Sequence, residues 1–236
     1  MSRAVVATGY GTPDVLDVVE IEQPRPGPGE VLIEVRAAGV NPIDHKLYSG
    51  AMGADPAALP LRLGFEVSGV VASLGEGVTG VAAGDEVIAY RVDGGYATHV
   101  VAAVADVFAK PEALSFAQAS GLLLTGVTAV HLLTATGVGA GDTVLVHGAS
   151  GGVGLIVTQL AVARGARVIG TAGAARLDAV RAFGGEPVTY GEGVAQRVRE
   201  LAPSGIDVAL DTVGTDEAVD TSIELVTDRS RIASIA

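Results

Sequence analysis

Residues 144–154, VLVHGASGGVG, constrain the fold of this 236-residue chain more than any other stretch, because they read as a buried strand running straight into a glycine-rich turn. Leu145, Val146 and their neighbours form a short apolar run. Residues 155–163 then carry apolar side chains at helical spacing without a proline, so strand, tight turn and helix follow in order. Within the turn, Ala149-Ser150-Gly151-Gly152-Val153-Gly154 fits G-x-G-x-x-G with alanine in the first place. On this reading Gly151 lets the backbone approach a pyrophosphate, and Gly154 lets the helix lie close against the strand. The first amides of such a helix have no intrahelical partner and carry the positive end of its dipole, which makes the turn a candidate dinucleotide site. A turn can also be rich in glycine merely because it is tight; the strand before and the helix after favour the nucleotide.

Further βα units follow: a strand at 167–171, a helix at 174–183, a short strand at 187–189, a helix at 194–201 and a strand at 206–211. Alternation of this kind predicts a parallel, doubly wound sheet. Residues 3 to about 118 lack that rhythm. Runs at 15–22, 31–37, 65–74, 86–90 and 96–104 are β-branched or alternating, separated by turns such as PRPGPGE at 24–30, which predicts an antiparallel sheet or partly closed barrel. One short helix is expected there, 43–48, after Pro42 at its start. The pattern changes near Lys110-Pro111 and becomes helical from Ser115, so the expected domains are 1–120 and 121–236.

The balance of 27 acidic against 15 basic residues gives a formal net charge of -12, which disfavours nucleic acid and anionic membrane as partners of the molecule as a whole. The absence of cysteine removes disulfides, thiol nucleophiles and thiolate zinc sites together. No signal-peptide core follows MSRAVVATGYGTPD, so a cytoplasmic protein is the expectation. The apolar run 121–133 is interrupted by Thr125, Gly126, Thr128 and His131 and reads as too short and polar for a membrane span.

A second feature is Ala38-Gly39-Val40-Asn41-Pro42-Ile43-Asp44, a polar corner bounded by glycine and proline. Asn before Pro commonly starts a turn, and Asp44 can serve nearby amides. Asn41 equally offers a donor and an acceptor at a fixed bend, suited to a carbonyl or a ribose.

Taken together, GVNPID at 39–44, LGFEVSGVV at 63–71, GGYATHVV at 94–101, LLLTGVTAVHLL at 122–133, VHGASGGVG at 146–154 and DTVG at 211–214 occur in the order found in a known family. The whole chain resembles the zinc-independent quinone oxidoreductases, the zeta-crystallin-like branch of the medium-chain dehydrogenase/reductase superfamily. The resemblance implies an α/β protein with a GroES-like catalytic domain followed by a Rossmann domain, and NADPH and substrate in the cleft between. Zinc-bearing relatives carry a cysteine ligand at the place of Asn41 and a histidine at that of Phe65, which cannot coordinate a metal. With His45, His99, His131 and His147 scattered, no open three-ligand zinc site is expected. Relatives are also longer. The chain stops within a strand, RIASIA, short of a further strand that often pairs across a dimer, so the resemblance implies truncation at the C-terminal end and a homodimer for the full-length form; the sheet edge would stay unpaired.

NAD-selective sites place an acid at the end of the second strand. Here the chain reads Gly170-Thr171-Ala172-Gly173, with no carboxylate to repel a 2′-phosphate and with Thr171 expected to touch the cofactor, and Arg176 follows in the next turn to grip that phosphate, unless it is simply a solvated helix residue. The resemblance places Tyr190 over that phosphate, Thr128 near the nicotinamide, and Val213-Gly214 beside the ribose. The implied reaction is hydride transfer from NADPH to a quinone or activated enone, with Asn41 orienting, Lys46 stabilising negative charge and Tyr48 a candidate proton donor. On one helix Lys46 and Tyr48 diverge, and water is an alternative proton source. An enoyl-thioester reductase and a non-enzymatic NADPH-binding protein remain alternatives.

Overall fold

Short runs punctuated by proline and glycine become two antiparallel sheets in the first of two units, Met1–Leu124, of the computed structural model, which describes residues 1–235. In chain order this unit contains β1 (Ser2–Ala7), β2 (Leu16–Ile21), β3 (Glu30–Ala38), α1 (Pro42–Tyr48), β4 (Leu61–Arg62), β5 (Glu66–Leu74), β6 (Glu86–Tyr90), β7 (His99–Ala103), β8 (Val107–Ala109) and α2 (Phe116–Ala119). One sheet has the order β2-β1-β4 and the other β7-β3-β5-β6-β8. Alternation along β3 and β5 turns Val31, Ile33, Val67 and Val71 inward, where they pack with Val87 and Val100. The strands β1, β4 and β8 are additional to those expected: β1 opens the chain without a preceding turn signal, and β4 and β8 are too short to show a period. In the run expected over 96–104 the strand proper begins at His99, and ahead of it Ala97 makes an isolated antiparallel bridge to Ala4.

The second unit, Thr125–Ala236, takes in most of α3 (Leu123–Ala135), then β9 (Thr143–His147), α4 (Gly152–Ala163), β10 (Arg167–Ala172), α5 (Leu177–Ala182), β11 (Glu186–Thr189), α6 (Val194–Leu201), β12 (Val208–Asp211), α7 (Asp216–Leu225) and β13 (Ile232–Ser234). Its parallel sheet has the order β11-β10-β9-β12-β13, so β9 is central and its neighbours lead away in opposite directions. Ligands in doubly wound folds bind at this switch point, outside the carboxyl ends of the strands. Val144, Leu145 and Val146 are fully buried, as expected of a central parallel strand covered on both faces.

Three details depart from the sequence expectation. The division falls after Leu124, in the first turn of α3, rather than at 120. The helix expected over 174–183 begins as a 3-10 turn, Ala174–Arg176, before α5. Helix α7 had no counterpart: its inward face is Ala218, Thr221 and Ser222, small or polar residues that leave no apolar period to read. By length and composition Phe116–Ala135 would suffice to cross a membrane, but the chain breaks it into α2 and α3, and Ala129, Leu132 and Leu133 of α3 pack into the core beside Val144 and Val157.

Candidate functional site

The glycine turn is built from beneath. Gly148 has φ +72, a left-handed conformation costly for a residue with a Cβ, and a side chain there would meet Val213 Cγ2 at 2.6 Å and Thr212 Oγ1 at 2.7 Å. The turn-forming glycine is therefore Gly148, one residue ahead of the position the pattern assigned. Ala149 holds the first pattern place because it is fully buried against Gly170, itself too close to accept a side chain. The Gly148 N–H donates to Thr171 Oγ1 at 3.1 Å and the Ala149 N–H to the Thr171 carbonyl at 2.9 Å. Thr171, expected to touch the cofactor, is buried and holds the turn from below instead.

Above that floor the helix start is open. Gly151 caps α4 with extended φ and ψ and no side-chain hydrogen bond, and Gly151 and Gly152 are exposed. The first amide bonded into the helix is that of Leu155, to the Gly151 carbonyl at 2.9 Å, which leaves the N–H groups of Gly152, Val153 and Gly154 as helix-start donors. Gly154 is buried, and a Cβ there would run into the Gly148 carbonyl and come within 2.7 Å of Ala149 Cα. A single added methyl group would thus push α4 off β9. From α3, Thr125 lies against Gly152, at 3.4 Å from a Cβ placed there, and Thr128 is half-buried one turn further on.

At the end of β10 no carboxylate follows Thr171. Arg176 is exposed, and its N–H bonds the Gly173 carbonyl at 2.8 Å. Tyr190 comes back over the same point, its hydroxyl 3.4 Å from a Cβ placed on Gly173. On the other side of β9, Asp211 is buried at 1% exposure and accepts the N–H of Val213 at 2.8 Å and of Gly214 at 3.0 Å, fixing the turn expected beside the ribose. Beneath it His147 is buried, its Nε2 without a partner among the described residues. Burial holds its pKa below the ordinary 6.5 against the opposing pull of Asp211 and Glu217, which favours the neutral ring.

In the first unit the corner before α1 is a network of side chains. Asn41 is buried and its N–H donates to Asp44 Oδ2 at 2.8 Å, while its side-chain amide donates to Glu66 Oε1 at 2.9 Å. Asp44 also accepts the Gly64 N–H at 3.0 Å, and Glu66 accepts the Leu124 N–H at 2.8 Å. Both carboxylates are at most 2% exposed; each is satisfied by amides, which makes a buried charge tolerable. Tyr96 presents a buried hydroxyl beside Asp44 without a well-aligned hydrogen bond among the described residues, and burial, then Asp44, raises its pKa. Lys46, by contrast, is exposed, and Tyr48 is half-buried with its ring edge-on to His45 at 5.3 Å. Asn41 thus lies in the buried network while Lys46 points to solvent. Glu66, Tyr96 and Asp211 had no assigned role in the sequence reading; only a buried acid within LGFEVSGVV hinted at the first. Among the described residues no three His, Cys, Asp or Glu side chains group as metal ligands.

Residues 27–112 match the family described as alcohol dehydrogenase GroES-like domain, and residues 152–236 the family described as zinc-binding dehydrogenase. The quinone oxidoreductase of Mus musculus is 36% identical over 234 residues, spanning 98% of this chain and 68% of that protein. A mycobacterial protein whose structure was solved in complex with NADPH is 37% identical and superimposes with a TM-score of 0.89, covering 98% of this chain and 73% of that one. The enoyl reductase CurK is 28% identical with a TM-score of 0.91, covering 99% of this chain and 73% of that one.

Proposed function

Because the chain belongs to the zinc-independent quinone oxidoreductases of the medium-chain dehydrogenase/reductase superfamily, we propose that it reduces a quinone or an activated enone with NADPH and without a metal. The observation that carries this reading is the pairing of an uncapped, side-chain-free helix start at Gly151–Gly152 with a carboxylate-free end of β10 flanked by exposed Arg176 and Tyr190. The residues present fit the cofactor. The Gly152, Val153 and Gly154 amides would hold its pyrophosphate, with Ser150 beside them. Arg176 and Tyr190 would receive its 2′-phosphate. The Val213-Gly214 turn would border the ribose, and Thr128 the nicotinamide end.

When bound, the nicotinamide supplies the hydride. Asn41, its amide fixed by Glu66, orients the acceptor; Lys46 stabilises negative charge developing on oxygen; Tyr48 or water returns the proton. The likeness to an enoyl reductase favours a second reading, an enoyl-thioester acceptor. Following NADPH consumption with a quinone, a short enone and an enoyl thioester separates the two. Saturable NADPH binding without turnover of any of them would leave a non-enzymatic NADPH-binding protein and contradict both. Replacing Arg176 by Ala is expected to raise the KM for NADPH about tenfold with NADH unchanged; comparable kcat/KM for both nicotinamides in the parent would contradict the NADPH assignment.

A further inference from the structure

Tyr190 is 62% exposed, yet the turn that carries it is tied down from two helices. On α6, Arg197 donates from Nη1 to the Glu192 carbonyl at 2.7 Å and from Nη2 to the Thr189 and Gly191 carbonyls at 2.9 and 3.0 Å. At the start of α7, Glu217 accepts the Gly191 N–H at 3.0 Å from the other side. Exposed connecting turns ordinarily carry few fixed contacts and move freely. Here one guanidinium gathers three backbone carbonyls and leaves its Nε–H buried and unpaired among the described residues. A buried unpaired donor is a standing cost, and a turn that served only to join β11 to α6 would not need it.

The clamp fixes the direction of the tyrosine. Its ring lies over Gly173, with Oη 3.4 Å and Cε1 3.7 Å from a Cβ placed there. Gly173 is the residue whose carbonyl receives the backbone N–H of Arg176, so the glycine beneath the phenol also anchors the turn from which the exposed Arg176 projects. We infer that Arg197 and Glu217 are positioning residues for NADPH selectivity: by clamping the turn at 189–192 they hold the Tyr190 phenol where a 2′-phosphate is received. The inference rests on the NADPH reading above. Glu217 holds the turn through one acceptor oxygen on a backbone N–H, a role that an amide oxygen can also fill.

The test is equilibrium titration of the full chain with NADPH and with NADH, followed by cofactor fluorescence in a protein that has no tryptophan to interfere. Arg197→Met and Glu217→Ala should each raise the NADPH Kd about fivefold to tenfold and the NADH Kd less than about twofold. Glu217→Gln, which keeps an acceptor for the Gly191 N–H, should retain the parent ratio. In a Tyr190→Ala background, Arg197→Met should add less than about twofold. Unchanged ratios in Arg197→Met and Glu217→Ala, or equal weakening of both nicotinamides, would overturn the inference and leave the NADPH reading standing. A parent chain with no preference between the two would overturn that reading and this inference with it. Should Arg197→Met fail to fold, the contrast between Glu217→Ala and Glu217→Gln decides the matter.

Discussion

The glycine turn of the second unit and the Asn41 corner of the first are both tightly bonded constructions, but they are made of different material. The turn offers backbone: amides at the start of α4, kept open by residues without side chains and supported by Gly148, Thr171 and Ala149. The corner offers side chains: Asn41, Asp44 and Glu66, joined across 25 positions of sequence by a hydrogen bond that no local pattern encodes. A site made of backbone tolerates almost no added atoms, whereas one made of side chains depends on each partner being present.

That difference can be broken by substitution. The largest expected effect is at Gly154. Valine there would drive its Cβ into the Gly148 carbonyl and the Ala149 Cα, costing roughly 3 kcal/mol by overpacking and abolishing NADPH binding; thermal melts and cofactor titration read both. A next, smaller effect is expected at Glu66. Replacing it with Ala would remove the carboxylate that accepts from the Asn41 amide and from the Leu124 N–H, costing about 2 kcal/mol and lowering kcat while the NADPH Kd stays within about twofold. A Glu66 variant that loses NADPH, beside a Gly154 variant that keeps it, would reverse the comparison.

The smallest effects sharpen it through pH. In the second unit burial holds the His147 imidazole below its ordinary value, and the hydrogen bonds from Arg231 hold the Asp142 carboxyl below the usual carboxylate range. With both folded-state values depressed, the unfolded chain takes the protons first. The stability they contribute is complete above the unfolded-state values and is lost as pH falls through the folded ones. In the first unit burial, then Asp44, raises the Tyr96 phenol above its ordinary 10.0. Its contribution is complete below that value and is lost as pH rises toward the raised one. Hydrogen exchange resolved by segment should therefore find the second unit opening first in acid and the first unit in alkali. Tyr96→Phe should remove the alkaline sensitivity at a cost below about 1 kcal/mol at neutral pH, because the hydroxyl makes no well-aligned bond.

The same contrast explains what could be read from the chain. The parallel sheet, the glycine turn and the bare end of β10 were legible because strand periodicity, glycine spacing and a missing acid are local signals. Even there a threonine at a strand end looks alike whether its hydroxyl faces a ligand or the turn above it, and that of Thr171 bonds the turn. Helix α7 escaped because its buried face is small and polar, and the clamp on Tyr190 because Arg197 and Glu217 reach the turn from separate helices. In the first unit the strands β3, β5 and β6 announced themselves by alternation. The partners of Asn41 did not, since Glu66 is adjacent only after β3 and β5 have paired.

The most direct test of the account is an amide-resolved NMR titration of the chain with NADPH. The account predicts saturable shifts that are largest at Gly151, Gly152, Val153 and Gly154, accompanied by Arg176 and Tyr190. Saturation with those helix-start amides unmoved, or no saturable change at all, would contradict it.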